Sequence, residues 1–65
     1  MPVIYSVEGA IVVDGAQGEP VEVYDMMGRT VTTTVANGLA IKVPTTGVYM
    51  VRVGQYSAQK VVVIK

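Results

Sequence analysis

The apolar positions of this chain fall in short runs that alternate every second residue, and Gly, Pro, Asn or Asp interrupts each run before it reaches helical length. Successive side chains of a strand point to opposite faces. In Val48-Tyr49-Met50-Val51-Arg52-Val53, Arg52 marks the wet side, so Tyr49, Val51 and Val53 point inward while Val48 and Met50 share the outer face. The same parity sends Val21 and Val23 in, with Glu22 and Tyr24 out, and sends Leu39, Ile41 and Val43 in beside an outward Lys42. No window of eleven or more residues carries an apolar stripe at helical spacing free of Gly and Pro, so no helix is assigned. Seven strands are predicted, at Val3 to Val7, Ala10 to Val13, Pro20 to Asp25, Thr30 to Thr34, Leu39 to Val43, Val48 to Val53 and Tyr56 to Ile64.

The punctuation between them predicts how they connect. Asp25-Met26-Met27-Gly28 fits a type I turn followed by a left-handed glycine, which exposes both methionines. Asn37-Gly38 and Gly54-Gln55 each read as tight two-residue reversals. Asp14 to Glu19 is the longest stretch without periodicity, and a loop of that length is expected to cross between two sheets. The predicted architecture is an all-β, small immunoglobulin-like β-sandwich of about seven short antiparallel strands.

The last strand departs from alternation. Val61 and Val63 take one face, while Val62 and Ile64 take the other together with Lys60. A strand apolar on both sides is normally covered on both sides, so the surplus face is expected to meet another chain, either a receptor or a second copy.

Composition sharpens this expectation. A single domain of 65 residues buries only about 60% of the surface its unfolded chain exposes. The chain is 51% hydrophobic with a formal net charge of zero, too apolar to remain disordered. Fifteen valines and four isoleucines stand against one leucine, as suits pleated surfaces. With no cysteine to cross-link and no histidine or cysteine to bind zinc, association is the remaining way to reinforce so small a core. A homodimer is therefore expected, formed by exchange of a terminal strand.

Five basic and five acidic residues are scattered without a cluster, which gives no footprint for nucleic acid or anionic lipid. No run approaches the roughly 20 apolar residues of a membrane helix, and the N-terminus lacks the basic and apolar regions of a secretory signal. Met1-Pro2 accordingly reads as the start of a C-terminal piece excised from a larger secreted protein.

Candidate chemistry is sparse. Ser6 and Ser57 have no basic partner near in sequence and read as solvated hydroxyls. Glu19, Glu22 and Asp25 are close along the chain, but parity separates Glu22 from Asp25. Asp14 and Glu19 lack the ordered spacing of a calcium loop. The glycines are spread singly among turns and build no phosphate cradle. Tyr24 and Tyr56 are the candidates for a sugar platform, against the commoner use of tyrosine as a core ring with its hydroxyl at the rim. No catalytic residue, metal ligand or cofactor is assigned.

Three segments together resemble the C-terminal sorting domains of type IX secretion, type A. Val23, Tyr24, Gly28 and Arg29 fit that family's central hydrophobic-Tyr-x-x-x-Gly-basic hairpin. Pro44, Gly47, Tyr49, Val51 and Val53 fit its Pro-x-x-Gly-x-Tyr strand, and Lys60 to Lys65 fits its terminal segment. The resemblance covers nearly the whole chain. It implies a non-catalytic signal at the C-terminus of an upstream cargo domain, recognised by an outer-membrane translocon and removed by a surface sortase-like peptidase. The route it implies runs through the periplasm to the cell surface or medium. On this reading Lys60, Val62, Ile64 and Lys65 contact the machinery. The alternative is an immunoglobulin-like accessory or adhesion module of a cell-surface protein.

Overall fold

The structure, a computed structural model, describes residues 2–65; Met1, the expected first residue of an excised piece, lies outside them. Its strands are β1 (Val3–Val7), β2 (Ala10–Asp14), β3 (Pro20–Tyr24), β4 (Thr30–Val35), β5 (Ile41–Lys42), β6 (Gly47–Val53) and β7 (Gln59–Val63). All pairings are antiparallel, and they form a three-stranded sheet in the order β1-β2-β5 and a four-stranded sheet in the order β4-β3-β6-β7. The all-β sandwich follows from alternation: each sheet turns one apolar face inward. Ile11, Val13 and Val43 meet Val21, Val23, Tyr49, Val51, Val53, Val61 and Val63 in one core. In a constant-type immunoglobulin domain the fourth strand lies beside the fifth; here β4 lies beside β3 in the opposite sheet.

The connections explain where the pattern misled. The segment between β2 and β3 crosses between sheets, as its length suggests. The Asn37-Gly38 signal, expected to close a hairpin, lies in a second crossing, because β4 and β5 belong to different sheets. Gly38 has φ 78° and the Asn37 side-chain oxygen accepts the Leu39 amide at 3.0 Å, so the local bend forms without strand pairing. That crossing also removes Leu39 from the predicted fifth strand. Only Ile41 and Lys42 pair with β2, and Leu39 is 69% exposed instead of inward.

Gly54 with φ 54° and the Tyr56 amide on the Val53 carbonyl at 3.0 Å make the expected reversal. Pairing then resumes only at Gln59, so residues 56–58 and Ile64 fall outside the final strand. The β1–β2 hairpin turns through Glu8 (φ 46°) and Gly9 (φ 84°), both left-handed as a two-residue type I′ turn requires.

Candidate interaction face

The outer face of the four-stranded sheet is assembled by register. Residues directly opposite in antiparallel strands share a face. Tyr24 lies opposite Met50 and Met50 opposite Lys60, while Val48 lies opposite Val62 and Glu22 opposite Arg52. The result is an outward ridge of half-buried Tyr24, Val48 and Met50 leading to Val62, with Ile64 just beyond the strand end. Val62 is 51% and Ile64 70% exposed. Lys60 stands exposed beside them. At the far end Arg52 Nε lies 3.6 Å from Glu22 Oε1. The Tyr24 phenol first, and the Glu22 carboxylate after it, hold the Arg52 guanidinium above its ordinary range.

Lys65 behaves differently from the other terminal residues. Its amide donates to Thr46 Oγ1 at 2.9 Å and its ammonium donates to the Val43 carbonyl at 3.1 Å. A Cβ placed on Gly9 would stand 3.1 Å from the Lys65 Cγ, so a larger residue there would push that side chain aside by a few tenths of an ångström. Lys60, Val62 and Ile64 present themselves outward, whereas Lys65 fastens the chain end to the fold.

The edge of β7 is also engaged. Ser6 Oγ donates to the Val62 carbonyl at 2.8 Å, which gives this serine a structural partner on the closing strand. β1 thus lies along the side of β7 away from β6, leaving the outward face of the final strand as its open surface.

The central hairpin signature is a turn with its own wiring. The Gly28 amide donates to the Asp25 carbonyl at 3.0 Å and the Asp25 amide to the Arg29 carbonyl at 2.9 Å, with Gly28 at φ 83°. Asp25 Oδ1 accepts the Met27 and Arg29 amides, and Asp25 Oδ2 accepts Arg29 Nε at 2.9 Å. Met26 and Met27 are exposed, as the turn requires. The Arg29 amide, the largest influence, holds the Asp25 carboxyl below its usual value, opposed by partial desolvation and aided by the Met27 amide and the Arg29 guanidinium.

The second signature is a corner. Pro44 is exposed between β5 and β6, and the chain enters β6 at Gly47. The Tyr49 hydroxyl donates to the Thr45 carbonyl at 2.6 Å and lies 3.1 Å from Thr45 Oγ1. A tyrosine near the start of the sixth strand, bonded back to the preceding corner, has the same geometry as the tyrosine corner found in immunoglobulin-like sandwiches. Val23, Val51 and Val53 lie in the core.

Tyr24 and Tyr56 are not brought together. Tyr24 ends β3, whereas Tyr56 follows Gly54, whose amide bonds Pro20 at the other end of that strand. Tyr56 instead lines an open groove with Ala16, Gln17, Glu19 and Gln55. Ser57 is exposed in the loop before β7. Among the described residues no three His, Cys, Asp or Glu side chains gather as metal ligands, and no helix is long and apolar enough to cross a membrane.

Val48 and Met50, placed on the outer face by their parity with Arg52, contribute to the ridge although the sequence reading did not assign them to the interaction surface; the surplus valine opposite was the available signal. Val3, Tyr5 and Val7 form a second exposed row, on β1. No charge in that strand marks its wet side.

A family described as a domain of unknown function (DUF6383) matches residues 2–63. No curated protein and no solved structure matches the chain.

Proposed function

We propose that this chain, which belongs to the DUF6383 family, is a non-catalytic C-terminal sorting domain that directs an attached cargo across the outer membrane to the cell surface. The observation that carries the reading is the outward face of the closing strand, where Val62 and Ile64 stand 51% and 70% exposed beside Lys60. Covering apolar surface is favourable by about 25 cal/mol per Å², so a receptor that buries this ridge gains affinity and reads the lysine at its border. The resemblance of the terminal segment and both internal signatures to type IX sorting domains supports the same reading. The partners would be the outer-membrane translocon, a surface sortase-like peptidase and the upstream cargo, met in transit through the periplasm. Lys65 enters the signal by fixing the course of the chain end, and Tyr49, Val51 and Val53 enter it by holding the sheet.

An immunoglobulin-like accessory or adhesion module is the second reading, favoured by the exposed row Val3, Tyr5 and Val7 on the other sheet. Sandwiches host many unrelated functions, and a tyrosine corner serves any of them. The deciding experiment fuses residues 2–65 to a periplasm-directed fluorescent reporter in a bacterium with an intact type IX system and in its translocon-null twin. A known signal is exported in parallel. Reporter at the surface or in the medium only with the translocon, and its loss in the folded Val62→Ser, Ile64→Ser variant, is the expected result. Retention of the unaltered fusion in both strains would favour the accessory module.

A further inference from the structure

The four-stranded sheet has two outer strands, and they differ. β7 is flanked by β1 through the Ser6–Val62 bond, whereas among the described residues no strand lies beyond β4. β4 reads Thr-Val-Thr-Thr-Thr-Val. It carries neither charge nor proline, the side chains that commonly blunt an edge, while β7 and β5 carry Lys60 and Lys42.

The direction of its free backbone groups follows from the register. The Gly54 amide donates to the Pro20 carbonyl at 2.7 Å, and the Ala36 amide donates to the Glu19 carbonyl at 2.9 Å. In an antiparallel ladder these bonds flank the non-hydrogen-bonded pairs Val21–Val53 and Pro20–Val35. Backbone groups therefore alternate along β3: Glu22 addresses β6, while Val21 and Val23 address β4. Thr33 and Val35, opposite Glu22 and Pro20, turn their amides and carbonyls away from β3 into the open edge. Val31 is the extra residue of a bulge between the pairs Tyr24–Thr30 and Val23–Thr32, which limits the free edge at its other end.

The segment Val31-Thr32-Thr33-Thr34-Val35 reads the same in both directions. Two copies laid antiparallel about Thr33 oppose Thr33 to its own copy and Thr32 to Thr34, while the bulged Val31, packed against the core, lies at the limit of the pairing. Such cross-strand pairs are favourable, and no like charges meet. An extended segment of another protein would need its own match to this edge, whereas a second copy supplies one.

We propose that β4 is a homodimerisation edge, at which two copies pair antiparallel about a two-fold axis at Thr33 and join their four-stranded sheets into one. This surface is independent of the sorting reading and differs from the terminal strand expected to mediate a dimer. An interface of essentially one strand falls below the roughly 1,200 Å² of standard complexes, so the association is weak and forms at high protein concentration.

Because the chain contains no cysteine, Thr33→Cys introduces a single thiol. Facing Thr33 residues in a hydrogen-bonded pair have Cα atoms about 5.5 Å apart, within the range a disulfide spans. The test combines sedimentation equilibrium of the unaltered chain and Thr33→Lys with mild oxidation of Thr33→Cys and, as a control, Val62→Cys. The expected result is a concentration-dependent dimer, at least about tenfold weaker in folded Thr33→Lys, where like charges meet at the axis, with cross-linking through position 33 in preference to 62. A monomer throughout the accessible concentration range, or preferential cross-linking through position 62, would overturn the proposal. Cross-linking leaves it testable even if Thr33→Lys fails to fold.

Discussion

Tyr49 is 3% exposed, with its ring in the core and its hydroxyl on the Thr45 carbonyl at 2.6 Å. Tyr49→Phe keeps the ring and removes the bond; a loss of about 1 kcal/mol is expected, read as a fall in the thermal midpoint with the transition still cooperative. The inward aim of Tyr49 was legible from parity with Arg52. Its bond was not, because Thr45 lies in a corner without periodicity. Asp25 gives a second residue-scale prediction, with a definite sign. Its folded-state pKa is depressed, so the stability it contributes is fully present above the unfolded value and is lost as pH falls through the folded value. The stability difference between the unaltered chain and Asp25→Asn, which retains a side-chain oxygen but not the charge, should hold steady above about pH 5 and narrow below about pH 4. Denaturant titrations across that range would measure it; a difference independent of pH would remove the carboxylate from the account.

At the scale of strands, alternation told which side chains face inward but not which sheet a strand joins. Val21, Val23, Tyr49, Val51 and Val53 were therefore readable, and all are buried. Leu39 was misread because a positive-φ glycine after asparagine serves a crossing as well as a hairpin, and parity alone does not separate the two. The overlong last strand has a similar origin: residues 55–58 carry no Gly, Pro, Asn or Asp to mark an interruption while the chain makes its way back to pair Gln59 with Val51. The surplus apolar face of β7 was legible for the opposite reason, since consecutive valines cannot all point inward. Val63, 0% exposed, and Val62, 51% exposed, are adjacent and chemically identical. Val63→Ala should cost about 2 kcal/mol for lost burial, and Val62→Ala under about 0.5 kcal/mol. Equilibrium unfolding of the two variants in parallel checks the assignment of faces, and equal losses would contradict it.

On the scale of the whole molecule, the sandwich joins segments from opposite ends of the sequence. Ser6 meets Val62, and Lys65 lies over Gly9 and reaches Val43. These contacts close long loops, and such topologies fold slowly compared with locally connected ones. They were invisible to a reading that moves residue by residue, because neither Ser6 nor Lys65 carries a pattern that names its distant partner. The clasp also sets a clock. Synthesis delivers β1 first and β7 last, at about 5–20 residues per second, so the opening strand waits several seconds for the one that flanks it. Until then, the apolar face of β6 lacks the valines that complete its side of the core, and the nascent chain carries an unfinished sandwich. Closure waits until β7 has been made, and until then any factor that binds extended chain competes with the domain for the same strands.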